Sequence, residues 1–139
     1  MSSEIEEGTA LTLDFSKLES VAATGQAVIP VVLQHADNGD VLFVGYANEL
    51  ALRATLDEGA AVLWSTSRNE LWRKGATSGD VLKLVDVRIN CEQNSVLYRV
   101  RPVGDGVCHT KGSNARARPT CYYRTITGSD EVEFLEGLR

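Results

Sequence analysis

Two β-rich runs, Ile29–Leu33 and Val41–Tyr46, flank Asp37-Asn38-Gly39-Asp40. Asn-Gly readily supplies the positive φ angles of a tight hairpin turn, so the two runs are predicted to pair antiparallel. Further strands are predicted at Ala61–Ser65, Val81–Ile89, Ser95–Val100 and Tyr122–Ile126. Asn48 is placed to cap a helix in which Leu52 and Leu56 lie four apart, with Gly59 ending it. Asp14 is placed to cap a shorter helix with Leu18, Val21 and Ala22 on one face, ending near Gly25. The expected fold is a small α+β domain dominated by antiparallel pairing. Residues 1–27 read as a helical appendage, 28–127 as the core domain and 128–139 as an acidic tail.

A chain of 139 residues suits one compact domain. Nineteen acidic against fourteen basic residues give a net charge of −5, which argues against a nucleic-acid binder held by phosphate neutralisation. No apolar run approaches the roughly 18–20 residues that cross a bilayer, so no membrane partner is expected. The opening Met1-Ser2-Ser3-Glu4-Ile5-Glu6-Glu7 lacks the basic-then-apolar pattern of an export signal. Three cysteines without close-pair spacing favour free thiols or metal ligands over a disulfide framework. The expected location is the cytoplasm.

Charge is unevenly spread. Both ends are acidic, yet from Cys108 to Arg124 the only charged residues are Lys111, Arg116, Arg118 and Arg124. That segment suits an anion, although charge runs more often mark a solvated basic loop.

Three features could carry chemistry. Cys91, Cys108 and Cys121, with His109 after Cys108, match the count of a catalytic zinc, where three protein ligands leave a position for water. Their separations are wide, and small buried thiols would read the same way. Next, Trp64-Ser65-Thr66-Ser67-Arg68 and Leu71-Trp72-Arg73-Lys74-Gly75-Ala76-Thr77-Ser78-Gly79 combine aromatic faces with cations and hydroxyls. They suit a base and its phosphates, or a polar loop with two half-buried tryptophans. Lys74-Gly75 reverses the order of an ATPase phosphate loop, which excludes that reading. Lastly, in Asn90-Cys91-Glu92-Gln93-Asn94 a continued strand would point Asn90, Glu92 and Asn94 to one face and Cys91 to the other; a polar turn is the alternative.

Taken together, the order Gln34-x-Ala36-Asp37-x-Gly39-x-Val41-Leu42, Tyr46-x-Asn48, Ser65-x-Ser67-Arg68, Leu71-Trp72-Arg73-Lys74-Gly75-x-Thr77-Ser78-Gly79, Cys108-His109-Thr110 and Cys121-Tyr122-Tyr123-Arg124 resembles the phosphoribosyl-AMP cyclohydrolases of histidine biosynthesis. The resemblance runs from about Ile29 to Arg124. It implies a folded, barrel-like mixed sheet, a homodimer, one zinc per active site and a second ion, usually magnesium. It also implies that zinc is shared between subunits, with Cys91 of one chain facing Cys108 and Cys121 of the other. Arg68, Trp72, Arg73, Lys74, Gly75, Thr77, Ser78, Gly79 and Arg124 become candidates for holding a small phosphoribosyl nucleotide, and Asn90, Glu92 and Asn94 for magnesium.

The implied reaction is physically reasonable. A ribose on N1 of adenine polarises the ring amidine and exposes C6 to a water whose pKa zinc lowers. Expelling ring N1 opens the ring, whereas expelling the exocyclic amine is deamination. His109 is the candidate acid/base group, with positioning of the metal ligands as its alternative role. Two rivals remain: a related zinc hydrolase or deaminase of another purine nucleotide, and a non-catalytic nucleotide-binding zinc dimer. The chain departs from the family where Asp-Cys-Asp-x-Asp is replaced by Asn90-Cys91-Glu92-Gln93-Asn94, which should weaken magnesium binding. It also inserts Ser113-Asn114-Ala115-Arg116-Ala117-Arg118 between two cysteines, where the arginines could clamp a phosphate.

Overall fold

The computed structural model describes residues 4–139; Met1, Ser2 and Ser3, part of the segment read for an export signal, lie outside the described residues. In chain order the elements are α1 (Glu4–Glu7), α2 (Lys17–Ala23), β1 (Ile29–His35), β2 (Val41–Ala47), α3 (Glu49–Glu58), β3 (Val62–Ser65), β4 (Glu70–Arg73), β5 (Leu82–Ile89), β6 (Val96–Pro102), β7 (Arg124–Ile126) and β8 (Val132–Phe134). A four-stranded sheet in the order β2-β1-β6-β5 is joined by two separate hairpins, β3-β4 and β7-β8. Only β1 and β6 run parallel; every other named pair is antiparallel.

The β1-β2 hairpin forms as expected, but its loop is longer than a two-residue turn. Gly39 alone among the loop residues takes a positive φ, at 81°, while Asn38 Oδ1 accepts the Asp40 N–H at 2.8 Å. Asn48 caps α3 by accepting the Ala51 N–H at 2.9 Å, and Gly59 closes it at φ 70°. The buried face of α3 differs from the expected one. Ala51 and Thr55 turn to the core while Leu56 is exposed. Thr55 wins that place because its hydroxyl accepts the Val62 N–H at 3.0 Å, satisfying a buried donor that leucine could not. In α2 only Val21 is buried, and Asp14 bonds the Ser16 N–H just before the helix.

The core lies between one face of the four-stranded sheet, α3 and the β3-β4 hairpin, with Leu33, Leu42, Leu63, Leu82 and Tyr98 fully buried. The expected barrel does not close. Strands β2 and β5 are opposite edges of the sheet, and the hairpin reaches β5 only through an Ala60–Lys83 bridge and two neighbouring backbone bonds. Two strands were not anticipated. β4 carries only Leu71 and Trp72 between charged residues, too short for a period to register, and β8 lies within the stretch read as an acidic tail.

The other face of the sheet is uncovered. Val44, Val32 and Leu97 stand in register across β2, β1 and β6, and Val32 and Leu97 border, with Val41 and Ile89, a shallow depression of about 500 Å³. Among the described residues no helix is long and apolar enough to cross a membrane.

Candidate active site

The turn after β4 is built on Gly75. Its φ is +80°, and a Cβ there would lie 2.2 Å from the Asp80 carbonyl carbon, so no other residue fits without moving backbone. This folds residues 74–80 back on themselves, with the Gly79 N–H bonded to Gly75 O at 2.8 Å. Facing that turn is the loop bearing Cys108 and His109. Gly106 permits it: a Cβ would sit 2.2 Å from Ala117 O, so the loop lies flush against residues 117–118. The Val107 and Cys108 N–H groups both donate to Arg118 O at 2.9 Å.

Between these loops lies a cavity of about 320 Å³. Arg68, Trp72, Arg73, Lys74, Gly75, Thr77 and Ser78 border it together with Cys108 and His109, so one space unites segments thirty or more residues apart. Lys111 and Asp80 also line it, and neither was singled out as a site residue. Lys111 was visible only as one member of a basic stretch; nothing local distinguishes Asp80. Gly79 and Arg124 do not line this cavity. Arg124 instead donates to Ile5 O and Gly8 O, at 2.6 and 3.0 Å, which spends its guanidinium on α1. Arg73 borders the cavity but makes a two-pronged pair with Glu58, which raises the Arg73 pKa and lowers that of Glu58. Arg118 is no phosphate clamp. It is buried, bonded through both terminal nitrogens to Glu7 at 2.6 and 2.7 Å and stacked 4.2 Å over the Tyr123 ring.

Cys108 is buried, and its sulfur lies 3.0 Å from the Thr110 hydroxyl and 3.5 Å from the Thr110 N–H. Cys121, anchored by its N–H to Leu42 O at 2.8 Å, directs its thiol to Cys108. Hydrogen bonding from Cys121, aided by Thr110, holds the Cys108 thiol down to about 5 against the opposing effect of burial. The same pairing, together with burial, pushes Cys121 up, so the pair shares one proton. A thiolate beside a second thiol is the donor chemistry zinc takes. Cys121, Lys74, Trp72 and His109 also border a smaller cavity of about 60 Å³ beside the first.

Cys91 is elsewhere, exposed on the turn between β5 and β6. Among the described residues, no three His, Cys, Asp or Glu side chains of one chain gather as a metal site. The oxygen donors beside Cys91 serve one another. Asn90 Oδ1 accepts the Asn94 and Ser95 N–H groups, Asn94 Oδ1 accepts from Asn90 Nδ2, and Glu92 accepts from Asn94 Nδ2. With one carboxylate and its amides committed to a closed turn, this trio does not fit a magnesium site.

Residues 43–123 match the family model described as phosphoribosyl-AMP cyclohydrolase. The chain belongs to the phosphoribosyl-AMP cyclohydrolase family. A relative so named from Caulobacter sp. (strain K31) is 40% identical over 130 residues, covering 93% of this chain and 87% of the relative. One from Marinobacter nauticus is 41% identical over 109 residues, covering 78% and 75%. One from Haloarcula marismortui is 44% identical over 103 residues, covering 74% and 80%. The family model runs from within β2 through the Cys108–Cys121 loop, and therefore covers every residue that borders the main cavity.

Proposed function

We infer that the chain is a phosphoribosyl-AMP cyclohydrolase, hydrolysing the N1–C6 bond of the adenine ring in histidine biosynthesis. The observation that carries this is the single cavity joining the Arg73–Ser78 turn to Cys108 and His109, in a chain of that family. The substrate carries two phosphates and a purine. Lys74, Lys111 and Arg68 supply the cations, Thr77 and Ser78 the hydroxyl donors, and Trp72 an aromatic wall. His109 moves the proton that departing N1 requires.

Zinc would be held by Cys108 and Cys121 of one chain and Cys91 of a second, supplying an open coordination position that lowers the pKa of a water near C6. Topology supports the shared arrangement. Cys121 sits by the start of β2 and Cys91 beyond the end of β5, at diagonally opposite corners of the sheet. A two-fold axis along the other diagonal brings each Cys91 to the partner's thiol pair while covering the apolar face of Val32, Val44 and Leu97. Three free cysteines suit a cytoplasmic enzyme, where thiols stay reduced.

The test is incubation of zinc-replete protein with phosphoribosyl-AMP, following products by mass and ammonia by assay. Ring opening, a gain of one water without ammonia, is expected. Ammonia release would identify a deaminase, and tight binding without turnover a non-catalytic nucleotide-binding dimer.

A further inference from the structure

His109 is four-fifths exposed as a side chain, so its ring would rotate freely unless something held it. Among the described residues its one hydrogen-bonding partner is Glu6 of α1, through His109 Nε2 and Glu6 Oε2. Glu6 lies outside the 43–123 segment that matches the family model. It is delivered by contacts that do not use its carboxylate. The Tyr123 hydroxyl donates to Glu6 O at 2.6 Å, Arg124 donates to Ile5 O and Gly8 O, and Glu7 pairs with buried Arg118. Arg118 in turn carries the Cys108 loop on its carbonyl, and its N–H donates to Thr110 O at 3.1 Å. Thus α1 and the His109 loop form one braced unit, and the Glu6 side chain crosses from one to the other.

We propose that Glu6 is a positioning residue for ring opening: its carboxylate takes the Nε2–H of His109, fixing the ring and leaving Nδ1 as the nitrogen that handles the proton. The proposal rests on His109 being the acid/base group. A carboxylate that accepts from one imidazole nitrogen selects the tautomer whose other nitrogen carries the lone pair. For the neutral imine form of the substrate, water adds its oxygen to C6 and gives one proton to the exocyclic nitrogen. Its other proton passes to Nδ1. As the C6–N1 bond breaks, its electron pair goes to N1, and Nδ1 delivers that proton there. Water is fully accounted for and the imidazole returns to its starting state.

Glu6→Ala should lower kcat roughly 10- to 100-fold with KM changed less than about twofold, the range expected for removing an orienting partner. Glu6→Gln, whose amide oxygen still accepts the Nε2–H, should recover part of that loss. In a His109→Ala background, Glu6→Ala should cost nothing further. Nitrogen NMR of the two histidines at mildly alkaline pH reads the same contact without turnover. The native protein should show unprotonated Nδ1 at His109, and Glu6→Ala a mixture of tautomers. An unchanged or raised kcat in Glu6→Ala, additive losses in the double variant, or an unchanged tautomer would overturn the proposal. Loss of activity in His109→Ala with none in Glu6→Ala would reject Glu6 alone; full activity in His109→Ala would also remove the acid/base role.

Discussion

Replacing Gly75 by alanine places a methyl carbon into the Asp80–Val81 backbone at a φ that alanine resists. Gly79 shares the positive φ, at +84°, but opens onto empty space. Gly79→Ala should therefore cost about 1 kcal/mol and leave KM near native, while Gly75→Ala should cost about 3 kcal/mol and raise KM. Thermal unfolding and Michaelis kinetics on both variants check this. The site was legible in the sequence as the Trp72–Ser78 string and the Cys-His-Thr triplet, because local spacing carries those motifs. Which cations remain free was not legible: Arg73 and Arg124 look alike in one dimension, and only folding shows Glu58 beside one and the carbonyls of α1 beside the other. The closed Asn90–Asn94 turn was open as a reading, since strand and turn place the same oxygens differently.

Glu7 is the element-scale counterpart, because it fastens all of α1 to Arg118. The Arg118 hydrogen bond depresses the Glu7 pKa below its ordinary 4.5. A depressed carboxylate contributes stability that is present above the unfolded value and lost as pH falls through the folded one. Glu7→Gln should thus destabilise the protein near neutrality by about 2 kcal/mol, reduced from the figure for a fully buried pair because Glu7 is partly exposed. The difference between variant and native stability should shrink below about pH 4, measured by urea unfolding across pH. Helix α3 and the first hairpin were foreseeable from Asn48, Gly59 and Gly39, whose roles are local. The hidden elements α1, β4 and β8 are three or four residues each, and long-range partners such as Arg118 and Tyr123 hold α1. No periodicity marks a segment that short.

For the whole molecule, the zinc site proposed between two chains predicts complementation. Cys91→Ser and Cys121→Ser chains, each inactive alone, should on unfolding, mixing and refolding form about half mixed dimers, each with one intact site, restoring roughly a quarter of native activity. Activity staying at zero, with mixed dimers and zinc confirmed by mass, would place all three thiols in one chain. The barrel was the one large feature the resemblance implied that the chain lacks, since closure needs a hydrogen-bonded seam and Ala60–Lys83 is a single bridge. Arg118 bears on how such a molecule comes into being. Its side chain grips Glu7 and Leu138, and its backbone carries the loop of Cys108. During synthesis, Glu7 therefore waits 111 residues for its partner. The loop of Cys108 is thus braced from both sides only after contacts 111 and 20 residues apart along the chain have closed.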